Sequence, residues 1–456
     1  MKDFLFKKKY GFEFYIYLLI IIFSILALAL GKDLLLLGNL MVIFAIVSFL
    51  LLKNKKLLLL STVFVSLIFG GIPFLNGSYI VMYLYILMLV TLLINKDKIK
   101  LDKTVVLIAF ITIVFNLLPI LSYGITVPLL ILSILKRFGF LIVYIFTINM
   151  INLTDKFKNL LIKLVFITLI INFFVALTQF AKGGLHQDSI TGFFGNGMTG
   201  IVIYLFMFSI AICSGLHYEK KISTLFYLIL ILISVIYSAI AEVKIGFIST
   251  AVLLIVYLGF INKNMKSIVS LTICGFIFVT FYSVFLNLYP NQNFLDKNFL
   301  ESYLVQQDYG TGGTINRFNF KPQIDNLIFN NNVDTLLGKG LGSGNPSEVE
   351  SLKGILNNQF DYLKFTWFTI PYLYVETGIV GAFLYILIYI LPLIVAIKHF
   401  IKNRTSLSVI VILMGLTNLF YLTYNAGLMN YGVSTIYWIF VAFLVREKKE
   451  LRIKKV

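Results

Sequence analysis

The ionisable residues that could do chemistry in this chain sit where charge is expensive. "LSILKRFGF" puts Lys136 and Arg137 well inside an apolar run that starts near residue 127. "SAIAEVKIGF" puts Glu242 and Lys244 at a sharp turn between two such runs. Ionised groups at membrane depth are costly and mark ligand or ion pathways. Lys136 and Arg137 suit an anionic ligand such as a lipid phosphate; the plainer alternative is a helix that begins late, with both side chains snorkelling to the interface. For Glu242 and Lys244 the plainer alternative is an ordinary solvated turn.

A third candidate site lies in a long polar stretch, "TGGTINRFNFKPQIDNLIFNNNVDTLLGKGLGSG", residues 311–344. Arg317 carries a guanidinium, a group that grips phosphate or carboxylate through two parallel hydrogen bonds, which lysine cannot make. Around it stand the amides Asn316, Asn319, Gln323 and Asn326 and the rings Phe318, Phe320 and Tyr309. Amides beside apolar rings suit a sugar, although a surface loop can carry this composition for solubility alone. Further on, "YVETGIVGAF" holds Glu376, which could act as a general base, orient a basic side chain or form a structural salt bridge. Gly378 and Gly381 after it permit close helix approach.

The elements that must position these groups follow from composition. Hydrophobic residues make up 59% of the 456 residues and charged residues 13%. A soluble domain of this length needs far more charge, so the chain reads as an integral membrane protein of all-α, polytopic architecture. A bilayer core takes about 20 apolar residues per helix. Runs of that length begin near residues 11, 33, 57, 79, 104, 127, 160, 197, 222, 245 and 267, and again near 371, 405 and 429. The expectation is about fourteen transmembrane helices. The N-terminal run is too long for a signal peptide and reads as an uncleaved first helix.

The net charge of +18 is distributed by side. With the N-terminus inside, "KNKK" at 53, "NKDKIKLDK" at 95, "TDKFKN" at 154, "HYEKK" at 217, "NKNMK" at 262, "KHFIKNR" at 398 and the tail "REKKELRIKKV" all fall on the cytoplasmic side. The opposite turns are almost free of Lys and Arg, as positive charge retained during insertion requires. The expected organisation is spans 1–11 in residues 1–286, one large extracytoplasmic loop with short helices over 287–364, spans 12–14 in 365–446 and a basic cytoplasmic tail, 447–456. Pro322 is expected to begin a short helix with Ile324, Leu327 and Ile328 on its apolar face, lying on the membrane surface or capping a cavity. No basic cluster is interleaved with aromatics outside the spans, which argues against nucleic acid.

Other motifs carry less. "GKGLGSG" at 338–344 lacks the spacing of a nucleotide-binding loop and reads as a tight turn set with positive φ. Cys213 and Cys274 read as small buried hydrophobes. His186 is expected outside, His217 and His399 inside, so a three-histidine metal site is excluded by topology.

Taken in order, "ITGFFGNGMTGIVIYL", "AEVKIGF", "NRFNFKPQIDNLI", "TLLGKGLGSG" and "YVETGIVGAF" resemble the O-antigen polymerase and O-antigen ligase superfamily of bacterial polysaccharide assembly. The resemblance covers roughly residues 160–400. It implies a multi-pass protein of the bacterial inner (cytoplasmic) membrane that transfers glycans on the extracytoplasmic face, without nucleotide sugar, metal or other cofactor. The donor and acceptor would be glycans on undecaprenyl diphosphate, and a chain-length regulator would be a further partner. Arg317 would hold the diphosphate leaving group, helped by Lys244, Arg137, Lys136 and Lys321. Asn196 of the "GFFGN" segment would contact glycan with Asn316, Phe318 and Asn319. Ligases of the superfamily carry a histidine shortly before the E-x-G-x-x-G segment; "DYLKFTWFTIPYLYVETG" has none. That favours a polymerase of O-antigen, capsule or exopolysaccharide repeat units over a ligase, and leaves Asp361 and Glu376 as candidates for the base. A flippase or transporter for lipid-linked oligosaccharide is the alternative of another class, but no internal repeat supports it.

Overall fold

The computed structural model describes residues 51–68, 77–101, 103–120, 125–183, 189–195, 197–263, 265–290, 292–298, 314–347, 349–430 and 433–453. It is helical, with no strand among the described residues. The chain divides into two compact units, Met1–Ser61 and Thr62–Val456. Of the first, residues 51–61 are described, and helix α1, Lys55–Ile68, begins there. The apolar runs near residues 11 and 33 and the N-terminal helix lie outside the described residues, as do Asn196, Tyr309 and His186.

The second unit is a bundle. Its helices are α2 (Gly77–Ile94), α3 (Lys103–Leu117), α4 (Val127–Met150), α5 (Asp155–Gly183), α6 (Thr199–Tyr218), α7 (Thr224–Ile240), α8 (Lys244–Leu254) and α9 (Met265–Leu288). The last turns of α8 widen into a π-helical segment, Ile255–Ile261. Short helices α10 (Phe320–Leu327), α11 (Asn332–Leu337) and α12 (Ile355–Phe360) follow, then α13 (Thr369–Asn403), α14 (Ser406–Tyr424), α15 (Gly427–Asn430) and α16 (Ser434–Ile453). Each apolar run expected from residue 57 onward coincides with a helix. Local signals set several ends: Pro128 sits in the first turn of α4, where its missing N–H costs nothing. Ser223 and Thr405 cap α7 and α14 by accepting backbone N–H groups.

Among the described residues seven helices are long and apolar enough to cross a membrane: α4 to α6, α8 with its π-helical end, α9, α13 and α14. The apolar stretches of α2, α3 and α7 are shorter. The chain is therefore a multi-pass membrane protein. Helix α6 is its axis, every residue from Thr199 to Leu216 buried, packed against α14, α7, α8 and α5. Helix α9 is the opposite case, with Ile268, Phe276 and Val279 exposed, the composition of a lipid-facing element.

Two features position the site. Helix α13 is broken at Gly378, whose φ of 62° and ψ of −167° are not helical. The polar stretch, in turn, folds against the helices instead of standing away from them. Residues 338–345 are all buried. Helix α10 starts two residues before Pro322 and docks on α13, its Phe320 ring 5.6 Å from that of Tyr374. Ile324 and Ile328, one turn apart, point inward, while Leu327 is half exposed; the apolar face is therefore narrower than the sequence pattern suggests.

Candidate functional site

The break in α13 frees the carbonyls of its first segment, which need donors if they are to stay buried. The glycine loop supplies them: Lys339 N–H donates to Val375 O at 2.9 Å and Gly340 N–H to Glu376 O at 2.8 Å. Approach this close demands glycine on both sides. A Cβ on Gly338 would overlap the backbone of Glu376 and Thr377, and one on Gly378 the backbone of Leu336 and Leu337. Both residues adopt positive φ with ψ near 180°, a region essentially reserved for glycine. Gly340 and Gly342 also have positive φ, at 96° and 95°, so "GKGLGSG" is the tight turn set its composition suggests.

What the turns enclose is a carboxylate. Gly342 and Gly344 each donate their N–H to Glu376 Oε1 at 3.1 Å, and Arg137 Nη2 pairs with Glu376 Oε2. Arg137 also donates to Ser133 O at 3.3 Å and lies over the Tyr372 ring, 4.6 Å from its centroid. Arg137 and Glu376 are both fully buried. Successive backbone N–H groups make an anion-binding concavity; here the anion is the chain's own. Of the three roles open to Glu376 from sequence, the geometry fits orienting a basic side chain, in a salt bridge sealed from solvent. Lys136 is half-buried and donates to Asn345 Oδ1 at 3.1 Å, while Asn345 Nδ2 binds Leu352 O at 2.7 Å. The structure therefore brings Lys136, Arg137 and Glu376 together around the glycine loop.

Arg317 stacks one helical turn earlier in the same segment, on Phe368. It is half-buried, its Nε donates to Tyr424 O at 3.0 Å, and its guanidinium sits 5.1 Å from the Phe368 ring centroid and 4.8 Å from that of Tyr424. Phe368 and Tyr372 are a turn apart, with Tyr372 N–H donating to Phe368 O. The two arginines thus stack on rings from successive turns of one segment, whose backbone positions are about 6 Å apart along its axis. Neighbouring elements fix this placement. Ile315 N–H bonds Leu363 O, Ala426 N–H bonds Trp367 O, and Thr369 Oγ1 donates to Asn425 O. Tyr421 OH donates to Gly200 O at 2.7 Å, and a Cβ on Gly200 would stand 3.0 Å from the Tyr424 ring. The segment after "GFFGN" therefore abuts the residues that hold Arg317.

The other candidates are placed as follows. Asn316 is buried and its Oδ1 accepts from Phe318 N–H at 3.2 Å, while Phe318 and Asn319 are exposed. Lys321 pairs with Asp325 at 2.5 Å, and Asp325 also accepts from Tyr374 OH. Asp361 is exposed and pairs with Lys364 at 2.5 Å. Lys244 opens α8 and pairs with Glu242 at 3.4 Å, both largely buried rather than solvated. Among the described residues no group of three His, Cys, Asp or Glu side chains could hold a metal ion.

Two positioning groups escape the sequence reading. Gln179 Oε1 accepts from Thr191 and Gly192 N–H at 2.9 and 2.7 Å, and Asn172 Oδ1 accepts from Phe193 N–H at 2.7 Å. The signal available was two amides seven residues apart in an apolar helix, hence on one face. Together they pin the loop that leads to Gly200. No protein-family model matches the chain, and no curated protein matches it.

Proposed function

We propose that this protein is a polymerase joining undecaprenyl-diphosphate-linked oligosaccharide repeat units on the extracytoplasmic face of a bacterial cytoplasmic membrane. The reading has about fourteen spans and both termini in the cytoplasm, with the face around Arg317 outside. The observation that carries it is the setting of Arg317, a guanidinium clamped between two rings and a carbonyl, yet half-open at the surface. Arg137 is sealed and already paired, so the reading moves it from diphosphate ligand to support.

In the proposed reaction the bond between the donor's anomeric carbon and its diphosphate oxygen breaks. The electron pair leaves with the diphosphate, and the anomeric carbon bonds to a hydroxyl oxygen of the acceptor glycan. Negative charge builds on the departing diphosphate, and a cation already in place stabilises it without reorganising. The acceptor's proton needs a carboxylate it can reach. Asp361 is exposed and Glu376 is not, so Asp361 is the base in this reading and Glu376 the residue that orders the loop.

The test is chain extension by purified protein supplied with lipid-linked repeat units. Arg317→Ala should fold and lose activity by about 100- to 1,000-fold, the loss seen when one preorganised donor is removed. Arg317→Lys should recover little, because a point charge neither stacks between rings nor makes the paired bonds. Full activity in Arg317→Ala would remove Arg317 from the mechanism.

A further inference from the structure

The segment that wraps Arg317 presents aromatic rings outward. Asp361–Leu363 and Phe365–Trp367 are single helical turns joined by Lys364, which has φ 52° and ψ 28°, a left-handed conformation unfavourable for a side chain of its size. That reversal keeps Phe365 inside while Tyr362 and Trp367 stay half exposed, at 49% and 50%. Trp367 is next in sequence to Phe368, which stacks on Arg317, and its carbonyl is fixed by Ala426 N–H two residues from the carbonyl that Arg317 binds. On the other flank, Leu363 O holds Ile315, two residues before Arg317. Polar groups accompany the rings: Lys364 Nζ lies 6.0 Å above the Trp367 ring and 2.5 Å from Asp361.

We infer that Asp361, Tyr362, Lys364 and Trp367 form a saccharide subsite beside Arg317, with Trp367 as its stacking platform. This rests on the polymerase reading and says where the sugar next to the diphosphate lies. A pyranose offers an apolar face of axial C–H groups and an equatorial rim of hydroxyls. The first matches an indole plane, the second a carboxylate and an ammonium beside it. A large amphipathic ring half out of the protein otherwise serves as an interfacial anchor in lipid headgroups. An anchor has no use for an acid–base pair at its edge or for a backbone reversal to hold it.

The chain has two tryptophans, and Trp438 is fully buried. Fluorescence reachable by a quencher therefore reports on Trp367. The probe is the repeat-unit oligosaccharide freed by mild acid from the surface polysaccharide of the source cells, added to protein in nanodiscs. The expected result is saturable protection from acrylamide, absent in Trp367→Phe, whose remaining emission is sealed, and retained in Arg317→Ala. In the extension assay Trp367→Ala should raise KM for the lipid-linked unit about tenfold with a smaller change in kcat, and Trp367→Phe should restore part of it. Quenching by brominated lipids that the oligosaccharide does not relieve, or no protection in protein that extends chains, would overturn the subsite and leave the polymerase reading standing. Wild-type protein that binds the oligosaccharide but extends nothing would overturn the polymerase reading instead.

Discussion

The two arginines show how little a residue's type decides without its surroundings. Arg137 has a carboxylate, a backbone carbonyl and a ring in a site closed to solvent; Arg317 has two rings and a carbonyl at a half-open one. Removing one partner of a buried ion pair strands the other, at a cost of about 3–5 kcal/mol. Glu376→Ala should therefore lower the melting temperature of the detergent-purified protein sharply. Glu376→Gln keeps an oxygen for Gly342 and Gly344 N–H and should lose less, and adding Arg137→Met to it should recover stability. An unchanged melting temperature in Glu376→Ala would mean that the pair does not hold the loop. The sequence made it plain that charge at 136, 137 and 376 needed a reason. It could not show that one charge answers another, because that pairing exists only once α4 and α13 lie side by side.

At the scale of elements, a polar segment and a broken helix satisfy each other. Composition made residues 311–344 look like an exposed loop, since Asn, Gly and Thr are what water tolerates. Those residues are equally what a chain needs to be buried without side-chain bulk, provided each backbone group finds a partner. Here the partners are the carbonyls freed at Gly378, the Glu376 carboxylate and a buried Lys339–Asp334 pair at 2.6 Å. The breaks in apolar periodicity were legible, and so were the helices on either side. The depth to which the loop inserts was not, because periodicity reports which residues face the core and says nothing of irregular backbone between spans. Irregular backbone is tolerated in a protein interior where each of its polar groups finds a partner. Gly378→Ala should then cost the backbone strain of about 1–3 kcal/mol, and more because its Cβ overlaps Leu336 and Leu337. The measurement is protease sensitivity at Lys353, a half-buried residue just past the loop. Faster cleavage with the helices still folded is expected, and wild-type resistance would show that loop and helix are not coupled.

For the whole molecule the geometry constrains topology, since segments that meet must share a side of the membrane. Those around Arg317 come from the start of α6, the residues before α13 and the end of α14, and Ile125, just before α4, faces Gly340 of the adjoining glycine loop. If α4 to α9 each cross once, these turns alternate with the basic ones at 154, 217 and 262, and all of them fall opposite the lysines. Charge asymmetry, set during insertion, and contact geometry, set by packing, are independent, so the proposed arrangement can be tested against each. Both native cysteines are buried, so introduced ones can be read without background. Val349 and Asp155 are exposed, at 49% for the residue and 86% for the side chain. If α5 to α9 each cross once, as the proposed reading requires, five crossings lie between them, an odd number, and they belong on opposite faces. Val349→Cys should react with a membrane-impermeant maleimide on intact cells, and Asp155→Cys only after permeabilisation. Reaction of both from one side would mean that one of the five does not cross. Reaction with the sides exchanged would put Arg317 in the cytoplasm, where a carrier-linked glycan awaiting export is not polymerised, and the proposed activity would fall with it.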